Sequence, residues 1–330
     1  LRSLQLRSLQ LRSLQLRSLQ LRRRKQQTVK KRSNRRLNMT ITAALVKELR
    51  ERTGAGMMDC KKALVETNAD LEAAIDLMRA SGAAKAAKKA GRVASEGLVN
   101  VTISDDNKSA AILEINSETD FVTKSQSFVD FVSALGKLAL KNKPKSIEAF
   151  LAQTLDSGET VDEAREGIIA KVGENVSVRR LQNVGVKNGV LGAYKHGDRI
   201  AVLAVLSGND AALAKDIAMH IAASRPECVT EGQLSNELLE REKTIFIEQA
   251  KESGKPDNII EKMIVGRMKK FVNEVTLYGQ AFIKDPETSV GELVKSKNAE
   301  VESFVRFEVG EGIEKKEDNF VEEVMAQAQD

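Results

Sequence analysis

Two histidines, His196 and His220, and two cysteines, Cys60 and Cys228, are the residues from which nucleophilic or metal chemistry would first be built. Nucleophilic catalysis needs a Ser or Cys beside a base that takes its proton. Neither histidine has such a neighbour in sequence: His196 falls in a tight turn before Gly197, and His220 on a helix over 211–224. Each reads as a polar surface residue. Zinc needs paired ligands at short spacing, and neither a Cys-x-x-Cys nor a His-x-x-x-His pair occurs. No phosphate-cradling P-loop is present either. Gly54-Ala55-Gly56 resembles the opening of a dinucleotide fingerprint, but it lacks the third glycine and follows a helix instead of a strand. Gly310-Glu311-Gly312 fails likewise. The expectation is therefore no covalent catalysis, no cofactor and no metal site.

What remains points to interfaces. Ser117-Glu118-Thr119-Asp120-Phe121-Val122 lies between an alternating strand, 111–115, and an amphipathic helix that begins near Lys124. A large ring at the tip of such a junction has little core to join. One reading folds Phe121 back as a helix staple; the other presents it as an aromatic anchor for a protein partner. Met57 and Met58 follow a Gly-rich turn, where methionine suits adaptable contact surfaces. Against that stands packing within a small helical bundle, with one of the two turned inward.

The overall charge of +5 conceals an asymmetry. Residues 1–38 hold 13 Lys and Arg and no acid, leaving 39 basic against 47 acidic residues, a net of −8, in the remainder. The body is thus acidic and lacks the basic face of a nucleic-acid binder. Leu-Arg-Ser-Leu-Gln repeats four times over 1–20; a five-residue period builds no fixed helical or strand face, so the tail is read as low-complexity and disordered. Its basic run reads as a mis-called start, against two functional readings: a nucleic-acid or ribosome-binding arm or an organelle transit peptide. Nucleic acid is a partner only if that tail is real. Two cysteines make no disulfide framework, no run approaches a membrane span, and the expected compartment is cytoplasmic.

Periodicity outlines the elements. Three short helices are expected at 43–52, 57–66 and 71–80, capped by Thr42 and Asp70 and closed by glycines, followed by a basic Ala-rich connector over 83–92. A hairpin over 98–103 and 110–116 precedes a helix carrying Phe128, Phe131, Val132, Leu135 and Leu138 on one face. A second strand pair, 190–194 and 199–206, precedes a helix with Ala214, Ile217, Ala218 and Ile221 on one face. Two long helices, 231–253 and 257–276, then form an antiparallel hairpin expected to project and to want a partner, with a second copy of the chain as a candidate. A strand over 305–309 and an amphipathic helix over 317–329 end the chain. The fold class is α+β.

Leu45 through Leu64, with Thr53-Gly54-Ala55-Gly56-Met57-Met58-Asp59-Cys60 at its centre, resembles the N-terminal signature of the bacterial elongation factor Ts family. Thr119-Asp120-Phe121-Val122, Ile217-Ala218-Met219-His220-Ile221-Ala222-Ala223-Ser224 and Arg306-Phe307-Glu308-Val309-Gly310-Glu311-Gly312 are similar to three further family segments. The resemblance runs from about Met39 to the C-terminus and leaves 1–38 without a counterpart. It implies a three-helix, ubiquitin-associated-like module with connector (39–92), two related β-β-α subdomains (93–186; 187–230 with 277–309), a dimerising coiled-coil hairpin (231–276) and a C-terminal module (310–330). It implies guanine-nucleotide exchange on elongation factor Tu, without covalent chemistry. Thr119, Asp120, Phe121 and Val122 would enter the GTPase near its Mg²⁺ and phosphate site; Arg50, Met57, Met58 and His220 would supply further contacts. Competing readings are a docking scaffold without exchange and an RNA-associated protein acting through the tail.

Overall fold

The computed structural model describes residues 41–252 and 256–314. The basic tail, the tip of the long hairpin and the helix expected over 317–329 lie outside the described residues. The chain divides into two units, Leu1–Gly82 and Ala83–Asp330.

In the first unit, α1 (Ala43–Thr53) starts where Thr42 Oγ1 accepts the Leu45 N–H and stops at Gly54, whose φ of 65° lets its N–H reach the Arg50 carbonyl. Helix α2 (Met57–Glu66) follows, and α3 (Leu71–Lys89) starts in this unit and ends past its boundary at Gly82. Val46, Leu49, Cys60, Ala63, Leu64 and Ala74 form one small core. At 11 and 10 residues, α1 and α2 are too short to be stable alone; the shared core orders them. Contrary to expectation, α3 does not end at Ala80. Gly82 costs about 1 kcal/mol relative to Ala in a helix interior, and the Ala-Lys run behind it, all strong helix formers, carries the helix on to Lys89.

The second unit is built in layers. Strands β1 (Glu96–Ile103), β2 (Ser109–Ser117) and β3 (Val176–Gly185) form an antiparallel sheet in that order. On one face Leu98, Ala111, Leu113, Ile115, Val176 and Val178 pack on helices α5 (Gln126–Asn142), α6 (Ile147–Leu151) and α7 (Val161–Val172). All five apolar residues read on the α5 stripe are buried. A second sheet runs β4 (Val190–His196), β5 (Ile200–Leu206), β8 (Val301–Glu308), and Val202, Ala204 and Leu206 cover α8 (Ala211–Ser224). Between the sheets, Val99, Ala110 and Ile112 meet Ala201, Leu203, Val205 and Phe307. The order is thus helix, sheet, sheet, helix, and β5 is apolar without alternation because both of its faces are covered. Gly192 of β4 is needed for this packing: a Cβ there would strike the Ala214 carbonyl of α8.

Helices α9 (Asn236–Lys251) and α10 (Asp257–Val275) make the long hairpin. Phe246 meets Phe271 edge-on at 6.4 Å, while Ile259 and Val265 stay exposed. A short ribbon, β6 (Ala281–Phe282) with β7 (Asp285–Ser289), and α11 (Val290–Ser296) complete the element order. No helix among the described residues is long and apolar enough to cross a membrane.

A presented aromatic turn as candidate interface

Strand β2 ends with Ser117 paired to Val176, the first residue of β3. Beyond that pair the two strands part, and the chain enters a single helical turn, α4 (Asp120–Thr123), before Ser125 starts α5. Where a loop was expected, the Phe121 segment is therefore helical. Phe121 is 78% exposed, which disposes of the staple reading. Val122, the next residue, is buried in the core with Phe128 and Leu98. One side chain thus anchors the turn and its neighbour is presented by it.

Backbone and side-chain polar groups hold the turn from both ends. The Ser117 hydroxyl donates to the Thr119 carbonyl at 2.9 Å. Thr119 gives its N–H and its hydroxyl to the two carboxylate oxygens of Glu174, at 2.9 and 2.6 Å. Glu118 in turn accepts the Asn175 N–H at 2.6 Å and pairs with Arg92 at 3.5 Å. Asp120 faces outward, with Lys124 Nζ 2.7 Å from its carboxylate. That hydrogen bond, helped by the more distant guanidinium of Arg199, holds the Asp120 carboxyl below its usual range. The Lys124 ammonium also lies 5.7 Å from the Phe121 ring centroid, so the tip combines a ring, a carboxylate and an ammonium.

The β4–β5 turn is joined to β1 by the Val99 N–H, which bonds the Asp198 carbonyl at 3.0 Å, and by the Arg199–Glu96 ion pair at 2.5 Å. Its exposed His196 stacks on Tyr194 with centroids 6.4 Å apart.

His220 departs from expectation. It has no exposed surface, so it is neither a surface polar residue nor open to direct partner contact. Its Nδ1 accepts the Ile283 N–H at 3.3 Å, which assigns the ring proton to Nε2 and the 2.9 Å contact there to the Gln280 Oε1. Burial pushes its pKa down, opposed by the Gln280 hydrogen bond. It is held as a neutral internal strut.

In the first unit, Met57 and Met58 are 59% and 64% exposed, so neither turns inward as expected for one of them. Arg50, in the last turn of α1, is exposed too. Sequence reading overlooked Glu174, Asn175 and Arg199, because isolated polar residues between elements carry no periodic signal.

Surface hollows of about 580 Å³ at the base of the long hairpin and about 530 Å³ between α5 and the 155–159 loop include no residue of 117–124 in their walls. Among the described residues no cluster of His, Cys, Asp and Glu is arranged to hold a metal. The exposed Phe121 ring, with the Asp120 carboxylate and Lys124 ammonium beside it, has the chemistry of a macromolecular contact surface rather than of an enclosed ligand pocket. A family model described as Elongation factor TS matches residues 118–311. The chain is 70% identical over 291 residues to elongation factor Ts of Ruthia magnifica subsp. Calyptogena magnifica, covering 88% of this chain and 98% of that one. It is 60% identical to elongation factor Ts of Thioalkalivibrio sulfidiphilus, over 88% of this chain and 99% of the relative, and 58% identical to that of Legionella pneumophila strain Paris, over 87% and 98%. The chain belongs to the elongation factor Ts family.

Proposed function

We propose that this chain is a guanine-nucleotide exchange factor for elongation factor Tu, acting in the cytoplasm in protein synthesis and without covalent chemistry. Family membership supports the class. The observation that carries the mechanism is Phe121, 78% exposed on a turn whose flanking residues are fixed. Phe121 and Asp120 enter the GTPase beside its Mg²⁺ and phosphate site, while Thr119 and Val122 hold them from behind. Full burial of such a ring is worth about 1.5–3 kcal/mol, and the free energy of the whole interface drives the distortion of the partner.

The GTPase holds GDP through phosphate contacts bridged by Mg²⁺. Displacing the cation removes charge stabilisation worth several kcal/mol. Phe121 need not touch the ion; shifting the segment that supports it suffices. Linkage makes the weakening mutual, so nucleotide and factor expel one another by the same ratio. Arg50, Met57 and Met58 supply contacts from the N-terminal module. His220 contributes through the Gln280 and Ile283 groups it holds.

The organisation that goes with this function is a module at 39–92, related subdomains at 93–186 and at 187–230 with 277–309, a hairpin at 231–276 that pairs two copies, and a C-terminal module at 310–330. Each assembly sets a hairpin, extended by a third antiparallel strand, against the helix that follows it, α5 or α8, and this shared arrangement supports the kinship of the subdomains.

The test is release of fluorescent GDP from the cognate elongation factor Tu by the full chain at substoichiometric concentration. Many turnovers per molecule of factor are expected. GDP release at the spontaneous rate would refute exchange and leave a docking scaffold.

A further inference from the structure

We infer that Glu174 and Glu118 form a reciprocal carboxylate clamp that positions Phe121, and that Glu174 is its principal positioning residue. This rests on the exchange reading above.

The clamp starts where the β2–β3 ladder stops. After the last pair, Ser117 with Val176, the chains diverge and backbone pairing is no longer available. Side chains take over. Thr119 gives both donors to Glu174, and Asn175 gives its N–H to Glu118. Two adjacent dipeptides, 118–119 and 174–175, thus each lend a carboxylate to the other's backbone. Sliding or lifting either segment breaks the bonds in both directions.

The far side of the clamp is itself anchored. Gly173 ends α7 with φ 82°, and Lys89 Nζ donates to its carbonyl. Asn175 is buried and bonds the Arg92 carbonyl at 2.8 Å through Nδ2.

Thr119 shows what the clamp displaces. It is the N-cap residue of α4, where a hydroxyl ordinarily accepts an N–H of the first turn, yet its side chain makes no capping bond. The hydroxyl is committed to Glu174 instead. With the Ser117 hydroxyl on its carbonyl, all three polar groups of Thr119 are fixed two residues before Phe121.

A mostly exposed ring cannot be ordered by packing around itself. Its position is inherited from Val122 on one side and Thr119 on the other. Ordering the turn beforehand removes an entropy cost from the step in which the ring enters the already docked partner, so the loss falls on the maximal rate. The chemistry also favours a carboxylate: the Thr119 N–H and hydroxyl both donate to Glu174 in charge-assisted bonds. An amide there keeps both contacts only by donating its NH₂ to the Thr119 hydroxyl, and it brings no charge.

The full chain is compared with Glu174→Ala, Glu174→Gln and Thr119→Val by two readouts. Hydrogen exchange of the 118–123 amides reports the turn directly. GDP release from elongation factor Tu gives a maximal rate and a half-saturating factor concentration. Glu174→Ala should speed amide exchange at 118–123 and lower the maximal rate about tenfold, about 1.4 kcal/mol, with the half-saturating concentration within about twofold of the parent. Glu174→Gln, which keeps the contacts with the hydroxyl reversed but without the charge, should recover part of both readouts. Thr119→Val, which keeps the backbone bond and the side-chain shape, should lie between, and it serves if Glu174→Ala does not fold. Unchanged amide exchange in the variants would overturn the clamp. Faster amide exchange with a parental maximal rate would overturn the positioning role. If the parent releases no GDP the exchange reading falls instead, and the amides alone still decide the clamp.

Discussion

The buried imidazole of His220 donates through Nε2 to Oε1 of Gln280 at 2.9 Å, and the Gln280 amide group donates in turn to the Ser224 carbonyl at 3.2 Å and the Glu274 carbonyl at 2.7 Å. One side-chain pair therefore joins the end of α8 to the base of the long hairpin, while Nδ1 holds the β6–β7 ribbon through Ile283.

That arrangement accepts a neutral ring only, since a proton on Nδ1 would face the Ile283 N–H. The pKa of His220 is lowered in the folded chain. Its contribution to stability is therefore complete above the unfolded value of about 6.5 and is lost as pH falls from there through the folded value. For one proton the slope is at most about 1.4 kcal/mol per pH unit. Asp216, four residues before His220 on α8, and Lys284, next to Ile283, pair with each other at 2.6 Å and largely cancel. Urea unfolding between pH 8 and 5 should show the loss, and His220→Gln should flatten that limb. An unchanged limb in the variant would assign the pH dependence elsewhere.

Glu114 predicts a stability effect of a different kind. It is fully buried between the sheets' ends, held by Arg179 at 3.1 Å, by Arg180, and by the Gly310 N–H at 2.8 Å. Removing one partner of a buried ion pair leaves an uncompensated charge. The two arginines are partly exposed, which moderates the penalty. Glu114→Ala should lower unfolding free energy by about 3 kcal/mol, read as a lower urea midpoint with unchanged slope. A loss below about 1 kcal/mol would show that solvent replaces the carboxylate.

Met57 and Met58 should behave oppositely. Being exposed, they contribute little to folding, and the double change to Ala should alter stability by no more than about 0.5 kcal/mol. As interface anchors their loss should weaken binding to elongation factor Tu by about 1–2 kcal/mol, a roughly tenfold rise in Kd. Titration calorimetry with the nucleotide-free GTPase checks this; unaltered affinity would remove the pair from the interface.

These residues also show what the sequence alone could and could not reveal. The α5 stripe and the strand pair at 190–206 were legible because one-sided or continuous burial imprints a period on the residue types. Strand β3 was missed: Arg179, Arg180, Gln182 and Asn183 interrupt its alternation, and pairing with β2, not apolarity, makes it a strand. Stacking of the two sheets was invisible, since no local pattern distinguishes a helix from a second sheet as the covering layer. Phe121 was legible because a lone ring at a junction is unusual. Glu174 was not: its role comes from a partner 55 residues away. His220 was misread as a surface residue because α8, rich in Ala and Ile, is covered on more than one side.

Stopped-flow release of fluorescent GDP from elongation factor Tu, by the full chain and by Phe121→Ala, decides whether Phe121 drives nucleotide release. The ring is exposed, so the variant should keep the parent's unfolding free energy within about 0.5 kcal/mol. Its maximal release rate should fall by about 10–100-fold, equivalent to about 1.4–2.8 kcal/mol. Equal maximal rates for the two proteins would contradict the account and place the source of exchange outside the Phe121 turn.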